Sequence, residues 1–513
     1  MTGSPDHSRE RFRLARLAVA AGAMERALGA VFGAARVALL AWGLSTRDYG
    51  LYVAVLGIVA TTGLLDFGLS FGLLNAVAKA RGRDDDAEVS AIVSTAFLIY
   101  SLIAAVALLL FVPFALAAPM RQLLHVDPDQ VGLARAIAAI GFGEALLVMP
   151  LRVFPSTFTG RQEQHVGSLF RVATGFAQFV AMAVALFVWR GKLLPAVALP
   201  AAVDLATALI FAGWARRRRV VVVLRAAKRE YVRPLFGSGL VFFVSNVANL
   251  LRRSFPAIII SNALGPGAVP AFSVPFAMFT IGLSVSELIA GSLWPAYGEA
   301  AARGDWPWIR RAFRIGTSAA MLAATGIALL GASGGAEVMS IWAPKIAVPP
   351  REVFAILAVW LVTQASSSTA GTLLSGLNRN WLYMWSNLFE GVATLGLGLW
   401  FVRTSGITGV AAAMVIGGVV SALALNVYVT PRATDRNVRI DGMEYGKLLL
   451  SAVPAAVVGL ALRSTGRTWP AFARMLTVAT GVGLVYTLAA WMLVLTPSAR
   501  ERVLQRVRRA RLP

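Results

Sequence analysis

The chain has 513 residues, of which 58% are hydrophobic and 14% charged, with a formal net charge of +23. It contains no cysteine, which excludes disulfides, thiolate metal sites and thiol catalysis. Its three histidines, His7, His125 and His165, are too far apart in sequence to suggest an imidazole site, so no metal or cofactor is expected.

Residues 1–17 read as a basic tail. The run from Leu17 to Gly43 opens like a signal peptide but continues well past the length of such a segment, so it is read as the first membrane helix. Further apolar runs lie near 50–78, 91–118, 131–158, 168–190, 193–215, 235–263, 268–295, 315–343, 352–375, 383–402, 407–430, 447–462 and 471–495. Each comes close to or exceeds the ~20 residues that cross a ~30 Å hydrocarbon core, and none alternates as a barrel strand does. The expectation is an all-α polytopic membrane protein with about fourteen spans.

Basic residues concentrate in segments that fall on one side of this topology. They lie in the linker 216–234, with Arg216, Arg217, Arg218 and Arg219, and in the tail 496–513. The positive-inside rule then places both termini in the cytoplasm. Such clusters attract anionic membrane lipids at ~1 kcal/mol per residue, which accounts for the charge without nucleic acid.

The two halves of the sequence repeat one another. The first helix, the connection Leu44-Ser-Thr-Arg-Asp-Tyr-Gly50 and the second helix recur as the seventh helix, Leu264-Gly-Pro-Gly-Ala-Val-Pro270 and the eighth. Thr159-Gly-Arg-Gln162 likewise matches Ser375-Gly-Leu-Asn378. This predicts an N-lobe over 18–215 and a C-lobe over 235–430, six helices each, related by an axis along the membrane normal. Helices 13 and 14, within 431–495, are an addition.

The most informative residues are Arg252 and Arg253, in the middle of the apolar run from Leu240 to Ile260. Each arginine at a helix centre costs about 2.5–3.5 kcal/mol on insertion scales, roughly what the apolar residues of the run return. Ser245, Asn249, Arg252 and Pro256 follow helical spacing, with Asn246 and Arg253 one position around. This polar stripe predicts an anion-receiving cavity. Arg26 and Arg36 on the first helix are candidates to join it, because on the repeat offset Arg36 matches Pro256. Guanidinium binds phosphate oxygens bidentately and stays charged. Asp66, Glu287 and Glu25 are candidates for ion coupling, for gating or for pairing with the arginines, and the sequence leaves these open. Glu144, Arg152, Asp204 and Glu390 are expected to make packing or inter-helix bonds. Gly29 and Gly33 form a small-xxx-small pattern suited to close helix approach.

Trp42-Gly-Leu-Ser-Thr-Arg-Asp-Tyr-Gly-Leu-Tyr52 followed by Leu65-Asp-Phe-Gly-Leu-Ser70 resembles the start of bacterial polysaccharide flippases. These are the O-antigen and exopolysaccharide repeat-unit transporters of the multidrug/oligosaccharidyl-lipid/polysaccharide exporter superfamily. Leu293-Trp-Pro-Ala-Tyr297 with Arg303-Gly-Asp305, and Gly406-Ile-Thr-Gly-Val-Ala-Ala-Ala413, are similar to later segments of the same superfamily. The resemblance implies two lobes moving an undecaprenyl-diphosphate-linked oligosaccharide by alternating access, possession of no enzymatic activity, and work beside a polysaccharide polymerase complex. It also implies that cations on helices 1, 2, 7 and 8 line the cavity, here Arg26, Arg36, Arg252 and Arg253. The second helix departs from the pattern, carrying Asp66 and Asn75 but no cation in its span. A multidrug/cation antiporter would share the fold, but the arginines oppose a cationic substrate. A membrane polymerase or glycosyltransferase would call for a sizeable outer loop or an acidic cluster, and neither is visible.

Overall fold

The computed structural model describes residues 5–494 apart from 84, 219, 238, 440–441 and 465–468. For 5–20, 23, 237, 239–240, 444 and 463–464 it describes the backbone alone. The basic tail expected at 496–513, Arg219 and the side chain of His7 therefore lie outside the described residues. Every regular element among the described residues is helical.

Among the described residues, twelve helices are long and apolar enough to cross a membrane, or thirteen if the bent pair Arg229–Phe236 and Val241–Leu264 is one span. The difference from the expected fourteen lies at the expected spans 383–402 and 407–430. They form a single run, Asn380–Ala433, in which Gly406 alone has non-helical angles (φ 57°, ψ −134°). Glycine adopts that positive φ without the Cβ clash that disfavours it in other residues, so the chain can turn there while its hydrogen bonding continues.

Two compact units divide the chain: Met1–Ser273 with Thr394–Gly406, and Val274–Ala393 with Ile407–Pro513. In the first, buried Leu69, Leu73, Ile92, Tyr100, Val153 and Phe158 join the spans Thr46–Arg81, Asp86–Ala117 and Pro128–Gly160. Phe158, Phe170, Phe211 and Trp214 form an aromatic cluster beside them. Lipid is as apolar as leucine, so helices associate by close packing at small residues rather than by expelling water. That closeness occurs along the second span. A Cβ added to Gly50 would overlap the Pro266 carbonyl, one on Gly72 would overlap the Leu235 carbonyl, and Gly57 faces Ile258 and Ser254. Gly29 and Gly33, by contrast, have open space where a Cβ would stand. The pattern at these two glycines is present, but no helix packs on it.

The connection between the third and fourth spans folds into a short helix, Met120–Leu124, and a turn at Pro128–Gln130. Ser261 donates to the Leu124 carbonyl (3.0 Å), and Asn262 donates to the carbonyls of Gln122 and Leu123 (3.2 and 3.0 Å). Arg47 pairs with Asp127 and Asp129. The basic linker lies along the third span, where Ser94 and Thr95 accept the backbone N–H groups of Val223 (2.9 Å) and Lys228 (3.0 Å).

In the second unit, glycines of the span Trp306–Trp342 pack against Arg351–Gly376 and against the eighth span. Gly335 meets the ring of Phe354, and Gly331 meets that of Phe279. The helices Tyr445–Leu462 and Ala471–Leu493 pack on the first of these spans, with the Tyr486 hydroxyl donating to the Leu322 carbonyl (2.9 Å). Gln364 donates to Glu390, the inter-helix bond expected of that carboxylate.

Candidate functional site

Within the first unit, three spans lose α-helical geometry beside a common space. In the second span, helix Thr46–Val59 passes into a 3₁₀ turn over Ala60–Asp66. Phe67 and Gly68 are left-handed (φ 45° and 77°), and the helix restarts at Leu69. In the fourth, Val131–Val148 gives way to a 3₁₀ turn at Met149–Arg152 before Val153–Gly160. Pro150 lacks the N–H that would bond the Leu146 carbonyl. In the seventh, Gly239–Arg253 ends and Phe255–Leu264 begins after Ser254. There Pro256 removes the bond to the Arg252 carbonyl. Non-helical backbone at membrane depth survives only where it is buried in protein or lines a cavity.

The cavity at these breaks has a volume of about 400 Å³. It is lined by Asp66 and Ser70 of the second span, Arg152 of the fourth, and Asn246, Asn249, Arg253 and Ser254 of the seventh, with Gly63 and Leu64. Asp66 is buried and accepts hydrogen bonds from Ser70 (2.8 Å) and from Tyr100. Two guanidinium groups against one carboxylate leave the lining with an excess positive charge. Two amides and two hydroxyls add neutral donors.

The structure separates the adjacent arginines of the seventh span. Arg253 is exposed and lines the cavity. Arg252 is buried, and its Nη2 donates to Asn249 Oδ1 (3.2 Å), so it holds a lining amide in place. Arg152, expected to make packing or inter-helix bonds, also lines the cavity. The signals for it were Pro150 and Pro155 flanking an arginine in mid-span.

Other expected site residues lie elsewhere. Glu25 makes a bidentate ion pair with Arg171 of the fifth span (2.5 and 2.9 Å), and Arg26 is exposed on the first helix. Glu287 belongs to the second unit. Arg36 donates to Gln178 (3.2 Å) and to the Tyr52 hydroxyl, and Gln178 donates to Asp204 (2.7 Å). Asp204 hydrogen-bonds Glu144, which lies within electrostatic reach of Arg152. This network runs from the first span through the fifth, sixth and fourth to the edge of the cavity.

This is a multi-pass helical membrane protein with a cationic cavity built on interrupted spans. The chain belongs to the polysaccharide biosynthesis protein family, whose model matches residues 24–300. It is similar to the lipid II flippase MurJ in an inward closed conformation, with TM-score 0.72 and 12% identity over 93% of this chain and 98% of that one. It is also similar to a multidrug resistance MATE family transporter in an inward-facing conformation (0.70, 18%, covering 81% and 98%) and in an outward-facing one (0.62, 16%, covering 82% and 96%). A comparison with curated proteins found no match.

Proposed function

We propose that the protein is a flippase that moves polyprenyl-diphosphate-linked oligosaccharide repeat units across the bacterial inner membrane for polysaccharide biosynthesis. Two lobes would work by alternating access, beside the polymerase that consumes the product. One observation carries this reading: Arg152 and Arg253 share a cavity with four amide and hydroxyl donors where the second, fourth and seventh spans break. Interrupted helices near mid-membrane are where transporters place their substrate sites.

The charge balance decides between substrate classes. At an effective dielectric of 20, a cation ~8 Å from each guanidinium meets about 2 kcal/mol of repulsion from each. Asp66 at the same distance offsets one of these. A diphosphate meets the opposite balance and gains charge-assisted hydrogen bonds. The fold is equally that of drug exporters, but the lining favours an anion.

The test is the amount and leaflet of polyprenyl-diphosphate oligosaccharide in a strain lacking the gene. Completed repeat units accumulating on the cytoplasmic leaflet support the flippase. Accumulation on the outer leaflet points to a polymerase, and drug hypersensitivity without accumulation points to a drug antiporter.

A further inference from the structure

The second unit holds a separate cavity of about 970 Å³ between the spans Trp306–Trp342, Arg351–Gly376, Asn380–Ala433 and Tyr445–Leu462. Its walls are apolar, among them Ala328, Ala358, Val362 and Ala422, and the exposed side chains of Leu423, Val427 and Leu449 mark its flank. Apolar voids of this kind stay dry, and an unfilled one forfeits the packing of every atom around it.

One end of the cavity differs from the rest. Arg432, Arg436 and Arg439 line it, all exposed, and Arg439 also lines an adjoining pocket with Arg310, Arg311 and Arg314. At the same end the helix widens into a π-turn over Ala424–Val429, a distortion common at functional sites. The π-turn carries Asn426, which lines the cavity and is 5% exposed. Its amide nitrogen donates to Ser366 (3.0 Å) and to the Ala422 carbonyl (2.9 Å). Its Oδ1 is buried without a hydrogen-bond partner. An apolar slot with guanidinium groups at its mouth describes one kind of molecule, which has acyl chains and a phosphate.

We propose that this cavity binds an anionic phospholipid, with its acyl chains in the slot and its phosphate on Arg432, Arg436 and Arg439. The site stands apart from the translocation cavity and does not depend on the substrate proposed for it. Each basic residue near an anionic headgroup contributes about fivefold in affinity.

The test is native mass spectrometry of the delipidated full chain, titrated with dioleoyl phosphatidylglycerol, dioleoyl phosphatidylcholine or a polyprenyl phosphate. Phosphatidylglycerol is expected to bind at least about tenfold more tightly than phosphatidylcholine. The triple variant Arg432→Gln, Arg436→Gln, Arg439→Gln should remove that preference. Arg436→Gln alone should reduce it severalfold, which keeps the test open should the triple variant fail to fold. Ala358→Phe, which fills the slot and spares the arginines, should weaken phosphatidylglycerol binding. Equal binding of the two phospholipids overturns the proposal, as does phosphatidylglycerol binding unchanged by Ala358→Phe. Displacement of phosphatidylglycerol by equimolar polyprenyl phosphate would assign the slot to a polyprenyl chain and overturn it too.

Discussion

Ser70 donates a 2.8 Å hydrogen bond to Asp66 across the left-handed residues at which the second span restarts, and Tyr100 of the third span donates to the same carboxylate oxygen. The carboxylate therefore ties the break to the neighbouring helix. Tyr100→Phe removes one donor from a buried charged acceptor, at an expected cost of about 1.5–3 kcal/mol. A lower thermal midpoint in detergent, with no loss of membrane insertion, is the expected result. An unchanged midpoint would show that Asp66 does not depend on this bond.

The arginines should separate by phenotype. Arg152→Ala and Arg253→Ala are each expected to lower export of the repeat unit at least about tenfold while leaving protein levels near normal. Arg252→Ala should act mainly on stability, because Arg252 is buried and orients Asn249. Arg253→Lys should not rescue, since an ammonium cannot reproduce the two-pronged contact with phosphate oxygens. Export assayed beside immunoblotted protein distinguishes these outcomes, and full export by Arg152→Ala plus Arg253→Ala would remove the basis of the anion cavity.

Pro256→Ala should raise stability and reduce transport. Pro256 stands in the first turn of Phe255–Leu264, where proline is tolerated, but alanine would supply an N–H able to bond back across Ser254. The seventh span would then run as one helix past the cavity. A higher thermal midpoint with impaired export is expected; a higher midpoint with normal export would show that the break is dispensable.

At Gly72 any side chain must displace the backbone at Leu235. Gly72→Val is expected to lower the amount of folded protein, consistent with the 1–3 kcal/mol typical of overpacking. Gly29→Val, with open space around it, should be tolerated. Fluorescence size-exclusion profiles of the two variants provide the comparison.

Hydropathy alone located the spans, because crossing lipid demands long apolar helices whatever their packing. The polar face of the seventh span was legible in part: of the stripe Ser245, Asn249, Arg252 and Pro256 only Asn249 lines the cavity, joined by Asn246 and Arg253 from one position around. What pairs with them was not legible. Arg152 reaches the cavity through a 3₁₀ turn, and helical periodicity says nothing about which distant helix lies opposite. The pairing of Glu25 with Arg171 spans 146 residues, beyond any local rule. Close approach was sought at Gly29 and Gly33 and occurs at Gly50, Gly57 and Gly72, since whether a small residue faces a neighbour depends on tertiary packing.

Ser261 and Asn262 fasten one half of the seventh span to the carbonyls of Gln122, Leu123 and Leu124, and Gly50 lies against Pro266 just beyond. The half beyond Ser254 is thus moored, while the half Gly239–Arg253, which carries Asn246, Asn249 and Arg253, rests on the second span through the stacked pairs Phe71–Phe242 and Phe67–Phe243. A small rotation there would carry the anion-binding groups along with it, so that gripping the cargo and changing its exposure become one movement.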